Sequence, residues 1–133
     1  MQYSNYVLLT ILLSSIMILG CHTTPYVQGQ RLYVSKCQSC HMEDGRGLAS
    51  LIPSLQSSPY LGKSELACIL KNGIIDTIFK DSTYLIKNMP SFASLSTTEV
   101  TNIVNFMNHA WNPGFREISI LEIGAALDKC ELK

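Results

Sequence analysis

Cys37-Gln38-Ser39-Cys40-His41 carries two thiols three positions apart and an imidazole directly after the second. Two intervening residues let both sulfurs reach one porphyrin edge, and the adjacent His gives a ring nitrogen to the iron. C-x-x-C-H is therefore the covalent attachment motif of a c-type haem, its two thiols added to the haem vinyl groups as thioethers. With five Cys and three His in 133 positions, chance produces about 0.004 such motifs. A redox dithiol shares the C-x-x-C but sits in a βαβ pattern, which is missing here. A structural zinc site needs four ligands, and no second C-x-x-C or H-x₃₋₅-H follows. The reading is one haem c, bonded to Cys37 and Cys40, with His41 as an axial ligand of its iron.

Working outward, Gly29 and Tyr33 precede the motif, and Gly45 and Gly47 follow it in HMEDGRG. Pro53 stands twelve residues after His41, and Met89-Pro90 lies further on. Across residues 27–111 the chain resembles the small monohaem class I cytochromes c. That resemblance implies an all-α fold around one covalent haem. It also implies that the Pro53 carbonyl accepts from the outer nitrogen of His41, a bond that fixes the tautomer and raises the basicity of a ligating imidazole. Phe106 would pack near Gly29 and Tyr33. Trp111-Asn112 is similar to the Trp-Gly-Asn-like turn that ends some bacterial members.

The sixth ligand decides the function. Met42 adjoins His41 and cannot reach the other haem face. Met107 falls on the apolar stripe of a helix, where Met normally packs. His109 lies near the end of that helix, and His22 lies close to the N-terminus. In the resembled family a Met-Pro at the place of Met89 supplies the axial thioether, and proline forces an extended backbone on the residue before it. Met89 is the expected ligand; His109, or an open or water-bound iron, are the alternatives. His/Met ligation raises the potential and fills both axial positions, which favours electron transfer over catalysis at the iron.

Helical periodicity surrounds these motifs. A first helix is expected over 27–37. A middle helix should start at Ser64 as N-cap, turn Leu66, Ile69 and Leu70 inward and stop at Asn72-Gly73. After it, a loop-like stretch from Gly73 would bring Tyr84 and Leu85 to the haem edge. Ser96-Thr97-Thr98-Glu99 is a capping box, and Val100, Ile103, Val104, Met107 and Trp111 then keep one helical face. Ser119-Ile120-Leu121-Glu122 is a second box, opening a helix to about residue 129. No strand pattern is evident.

The N-terminus is of a different character. Residues 1–20 hold none of the ten acidic and ten basic side chains. Residues 7–20 form an apolar run too short to span a bilayer, which takes about 20 residues, yet right for a secretory signal. The run ends in Ile18-Leu19-Gly20-Cys21, which resembles a bacterial lipoprotein box. That resemblance implies cleavage before Cys21 and palmitate-type acylation on it, holding the protein to a membrane on the periplasmic side. His22, in place of the Asp that retains enterobacterial lipoproteins on the inner membrane, leans toward the outer membrane. An ordinary cleaved signal or an uncleaved anchor is the alternative. The expected organisation is signal 1–20, tether 21–28, cytochrome domain 29–112 and C-terminal helical extension 113–133.

Cys68 and Cys130 remain. Helical geometry turns Cys68 roughly 160° from the Leu66/Ile69/Leu70 stripe, toward the side where an appended tail could lie. In an oxidising compartment a Cys68–Cys130 disulfide is the expectation, with two free thiols as the alternative.

Charge excludes some partners. The body is neutral, net +2 over residues 22–87 and −2 beyond, so no basic surface seeks nucleic acid and no strong field steers a partner. The expected role is a monomeric, non-enzymatic, membrane-tethered carrier of single electrons. Its redox donor and acceptor would dock transiently at the haem edge, rimmed by Ile52 and Met89, with haem packing as their alternative role and the expected one for Phe92. A cytochrome subunit of a dehydrogenase or oxidase complex is one alternative. A haem sensor or enzyme with a displaceable Met89 is the other.

Overall fold

Ser96 takes an extended backbone and its hydroxyl accepts from the Glu99 N–H, while the Glu99 carboxylate accepts from the Ser96 N–H. This reciprocal cap starts the longest helix among the described residues of the computed structural model, which describes residues 3, 5–7, 10–11, 25–49, 51–80 and 83–130. In chain order the elements are α1 (Val27–Lys36), α2 (Gln38–His41), α3 (Leu66–Asn72), β1 (Ile74–Lys80), β2 (Thr83–Met89), α4 (Thr97–Trp111) and α5 (Ile120–Asp128). The fold is mainly helical, the small cytochrome c-like arrangement. Cys21 and His22 lie outside the described residues. Among the described residues no helix is long and apolar enough to cross a membrane.

The pairing of α1 with α4 organises the core. Gly29 makes it possible: a Cβ there would run into the Asn102 carbonyl oxygen and come within 2.6 Å of the Phe106 Cβ. Just beyond, Tyr33 meets Phe106 and Trp111 at ring-centroid distances of 5.5 and 5.2 Å. Val100, Ile103, Val104 and Met107 of α4 are fully or almost fully buried, the expected stripe. Met107 is thus a packing residue. Leu66, Ala67 and Leu70 of α3 close the core from another side.

The middle helix starts later than expected. Ser64 does not cap it; Glu65 occupies the N-cap with no side-chain bond. The Leu66 N–H donates to Lys63 O and the Ala67 N–H to Ser64 O. Such i→i+3 turns satisfy the orphan donors that a cap would otherwise take.

A larger difference follows Gly73. Residues 74–89 are not a loop but an antiparallel hairpin, in register from Ile74 opposite Met89 to Lys80 opposite Thr83. The two segments, IIDTIFK and TYLIKNM, are rich in β-branched and aromatic residues that favour a pleated backbone. Tyr84 and Leu85 stand on β2; their side chains lie outside what is described.

The C-terminal segment is bound to the body at two levels. Asn105, buried in α4, donates its amide to Ile118 O and accepts from the Ile118 N–H, both at 2.9 Å. Then α5, capped by the Ser119/Glu122 box, buries Ile123, and the Cys68 and Cys130 sulfurs are bonded across α3 and the end of α5.

Candidate functional site

Residues of α1, α2, the 48–53 turn, β1, β2 and the segment after it converge on one cavity of about 280 Å³. Cys37, Cys40 and His41 line one part of its wall, and Met89, Pro90 and Phe92 line another. Ile52 and Pro53 also face it. Five residues singled out for haem binding (Cys37, Cys40, His41, Pro53 and Met89) are thus brought together from positions 52 apart in sequence. His109 is not among them. It is exposed and packs its ring 5.3 Å from that of Tyr26 and 5.4 Å from that of Phe115.

Local geometry explains how the motif is presented. Cys37 ends α1, and the N–H groups of Cys40 and His41 both donate to its carbonyl, at 3.1 and 2.9 Å. One turn of helix therefore separates the two thiols and carries His41 inward, where it is buried. Downstream, Gly47 donates to His41 O at 3.0 Å with φ +70°. A Cβ on Gly47 would strike the Ile52 carbonyl oxygen. Leu48 and Ile52 then form an antiparallel bridge. This tight turn delivers Pro53 to the cavity beside the imidazole. Gly45, at φ +74°, lies on the face of Trp111, whose Cζ2 a Cβ would approach to 2.8 Å.

The site's electrostatics follow from burial. The Cys37 thiol is pushed up to about 11, first by desolvation and then by Cys40. A redox dithiol works through a lowered pKa, so Cys37 has the opposite character. His41 is lowered, first by burial, with the Pro53 carbonyl opposing as a backbone acceptor. Its Nδ1 is nevertheless buried without a hydrogen bond of good geometry, and Pro53 is the acceptor at hand. Among the described residues no three His, Cys, Asp or Glu side chains gather to hold a metal ion. The donor set fits a covalent haem instead. Neither Cys37 nor Cys40 is in a disulfide, one imidazole is buried beside them, and an apolar cavity adjoins all three.

The family model for the cbb3-type cytochrome c oxidase subunit III matches residues 24–107. The chain belongs to this family. It is a c-type cytochrome, and the match covers the C-x-x-C-H motif, Pro53, Met89 and most of α4, while α5 and Cys130 lie beyond it. Among curated proteins the cytochrome is similar to the cytochrome c subunit of a quinone alcohol dehydrogenase of Gluconacetobacter polyoxogenes. The two are 28% identical over 102 residues, 74% of this chain and 22% of that protein. The corresponding subunit of Gluconobacter oxydans is 31% identical over 87 residues, 62% of this chain and 18% of its own length. The gluconate 2-dehydrogenase cytochrome c subunit of Pantoea cypripedii is 28% identical over 110 residues, 77% and 24% of the two chains. The cytochrome thus spans about a fifth to a quarter of the length of these relatives.

Two features of the site escaped sequence reasoning. Lys36 lines the cavity, and Lys71 with Ser91 fastens the segment that follows Met89. Neither stands in a motif; their roles come from contacts between distant segments.

Proposed function

We propose that this electron-transfer cytochrome is a one-electron carrier holding a single haem between His41 and Met89. The observation that carries the reading is that Met89 lines the same cavity as Cys37, Cys40 and His41. Bound haem would supply one-electron redox chemistry at its iron. Cys37 and Cys40 would hold it covalently, and His41 and Met89 would supply a nitrogen and a sulfur to the iron. The Pro53 carbonyl would accept from the outer nitrogen of the ligating imidazole and so orient the ring. The half-buried Ile52 and Phe92 limit the access of water, which together with Met ligation would favour the ferrous state and raise the potential. With both iron ligands supplied by protein, bound haem would offer no place for a substrate, which favours electron transfer over catalysis.

Further parts of the reading rest on the sequence. Cys21 would carry the lipid, placing a monomeric body at residues 29–112 on the periplasmic side of a membrane, the outer one by the His22 criterion. Residues 1–20 would be the signal, 21–28 the tether and 113–133 an extension clamped by Cys68–Cys130. The test of the ligand set is the ferric absorption spectrum of the holoprotein. A weak far-red band marks sulfur on ferric iron, and Met89→Ala should abolish it. Absence of the band from the native protein, or rapid CO binding when reduced at neutral pH, overturns the reading in favour of a sensor or enzyme.

A second reading is favoured by the names of the relatives, which are cytochrome c subunits of dehydrogenases. The chain would then share the electron-transfer chemistry but work as a fixed subunit. Extraction in mild detergent separates the two: a stable dehydrogenase partner indicates the subunit, and its absence the mobile carrier.

A further inference from the structure

The segment that leaves β2 with Met89 is fastened to the last turn of α3. The Lys71 ammonium donates to Ala93 O at 2.6 Å and to Leu95 O at 2.8 Å. In return the Ser91 hydroxyl donates to Lys71 O at 2.5 Å and accepts from the Ala93 N–H at 3.2 Å. The Phe92 N–H donates to Leu70 O at 3.0 Å. Gly73 closes the set: at φ +73° it lies so near the Met89 carbonyl oxygen that a Cβ would collide with it. Residues 70–73 therefore grip residues 89–95 on both sides of Pro90. Hydrogen bonds from an ammonium are roughly twice as strong as neutral ones, and both of these from Lys71 end on carbonyls of this single loop. A cation in the last turn also suits the negative end of α3.

We propose that Lys71 is a positioning residue for Met89, holding the 89–95 loop closed on the haem cavity so that the thioether stays on the iron. The proposal rests on the reading of Met89 as the axial ligand. Without the two bonds, the loop loses its charged anchor, and states with Met89 withdrawn gain population. CO binds ferrous iron only in those states, so its rate reports their fraction.

The test uses full-length holoprotein. Lys71→Met keeps the side-chain stem and removes the donors. The expected result is a ferric far-red band weakened by about half or more, a lower potential, and CO association about tenfold faster, with Lys71→Arg recovering part of each. A Lys71→Met protein with native band, potential and CO rate overturns the proposal, even if its unfolding midpoint falls, because a purely structural lysine would move only the midpoint. If Lys71→Met does not accumulate, Lys71→Gln also removes the ammonium and should move all three readouts in the same direction; no movement again overturns the proposal. A native protein without the far-red band is a different failure, that of Met89 as ligand.

Discussion

The Tyr33 hydroxyl, buried in α1, donates to the Met42 carbonyl at 2.6 Å. Met42 follows His41 directly and holds a left-handed φ of +64°, so this bond latches the end of the C-x-x-C-H turn onto the first helix. Burial, and secondarily Cys37 and Asp44, push the phenol up to about 12; it therefore remains a donor throughout the neutral range. Tyr33→Phe should cost about 0.5–1.5 kcal/mol, because a part-buried acceptor loses its partner while the ring packing survives. Denaturant unfolding of the holoprotein measures this, and an unchanged midpoint would show that the latch contributes nothing.

Gly29→Ala should be more damaging than its one added methyl suggests. The new Cβ collides with the Asn102 carbonyl and with Phe106, both on the facing helix. Since α1 and α4 cannot both stay in place, a loss of roughly 1–3 kcal/mol or more is expected from overpacking. Thermal unfolding followed by helical circular dichroism reads it. An Ala variant as stable as the native protein would mean that the helices part without cost.

Asn105 is buried yet doubly paired with the backbone of Ile118. Replacement by Ala strands both Ile118 groups, and a loss of about 2–4 kcal/mol follows if each costs 1–2. Hydrogen exchange should locate the effect at residues 117–123, ahead of any change near the cavity. Uniform acceleration across the whole chain would contradict this placement.

Reduction of Cys68–Cys130 opens a closure between residues 62 apart. The chain-entropy argument assigns such a loop about 4 kcal/mol. Urea unfolding with and without thiol reductant should differ by an amount of that order, while the thioethers proposed at Cys37 and Cys40 would resist the reductant and serve as an internal control. Coincident unfolding curves would remove the clamp from the account.

Acid should weaken the two capping boxes. Glu99 is lowered by the Ser96 backbone N–H first and the Ser96 hydroxyl second, and Glu122 by the Ser119 N–H and then Arg116. Unfolded, each carboxyl titrates near 4.5. The ionised caps thus stabilise the fold above that value, and the contribution fades as pH falls through the lower folded pKa values. Glu99→Gln with Glu122→Gln keeps capping acceptors but removes the titration. Stability measured from neutral pH downward should then decline less steeply; an unaltered acid slope would acquit these two groups.

Covalent chemistry and helical periodicity could be read without a structure. C-x-x-C-H is a local device whose geometry is complete within five residues, and the two capping boxes close over four, so neighbouring residues alone specify them. The stripe from Val100 to Trp111 needed only the period of a helix. Contacts between remote segments obey no such spacing. Whether Met89 would share a cavity with His41, whether residues 74–89 would pair as strands, how Asn105 would pin Ile118, and that Lys71 would grip the loop after Met89 were settled by tertiary packing. A buried amide or a lysine without a motif looks in sequence like any other polar residue, and it acquires its role only when folding removes water and leaves one backbone segment as its partner.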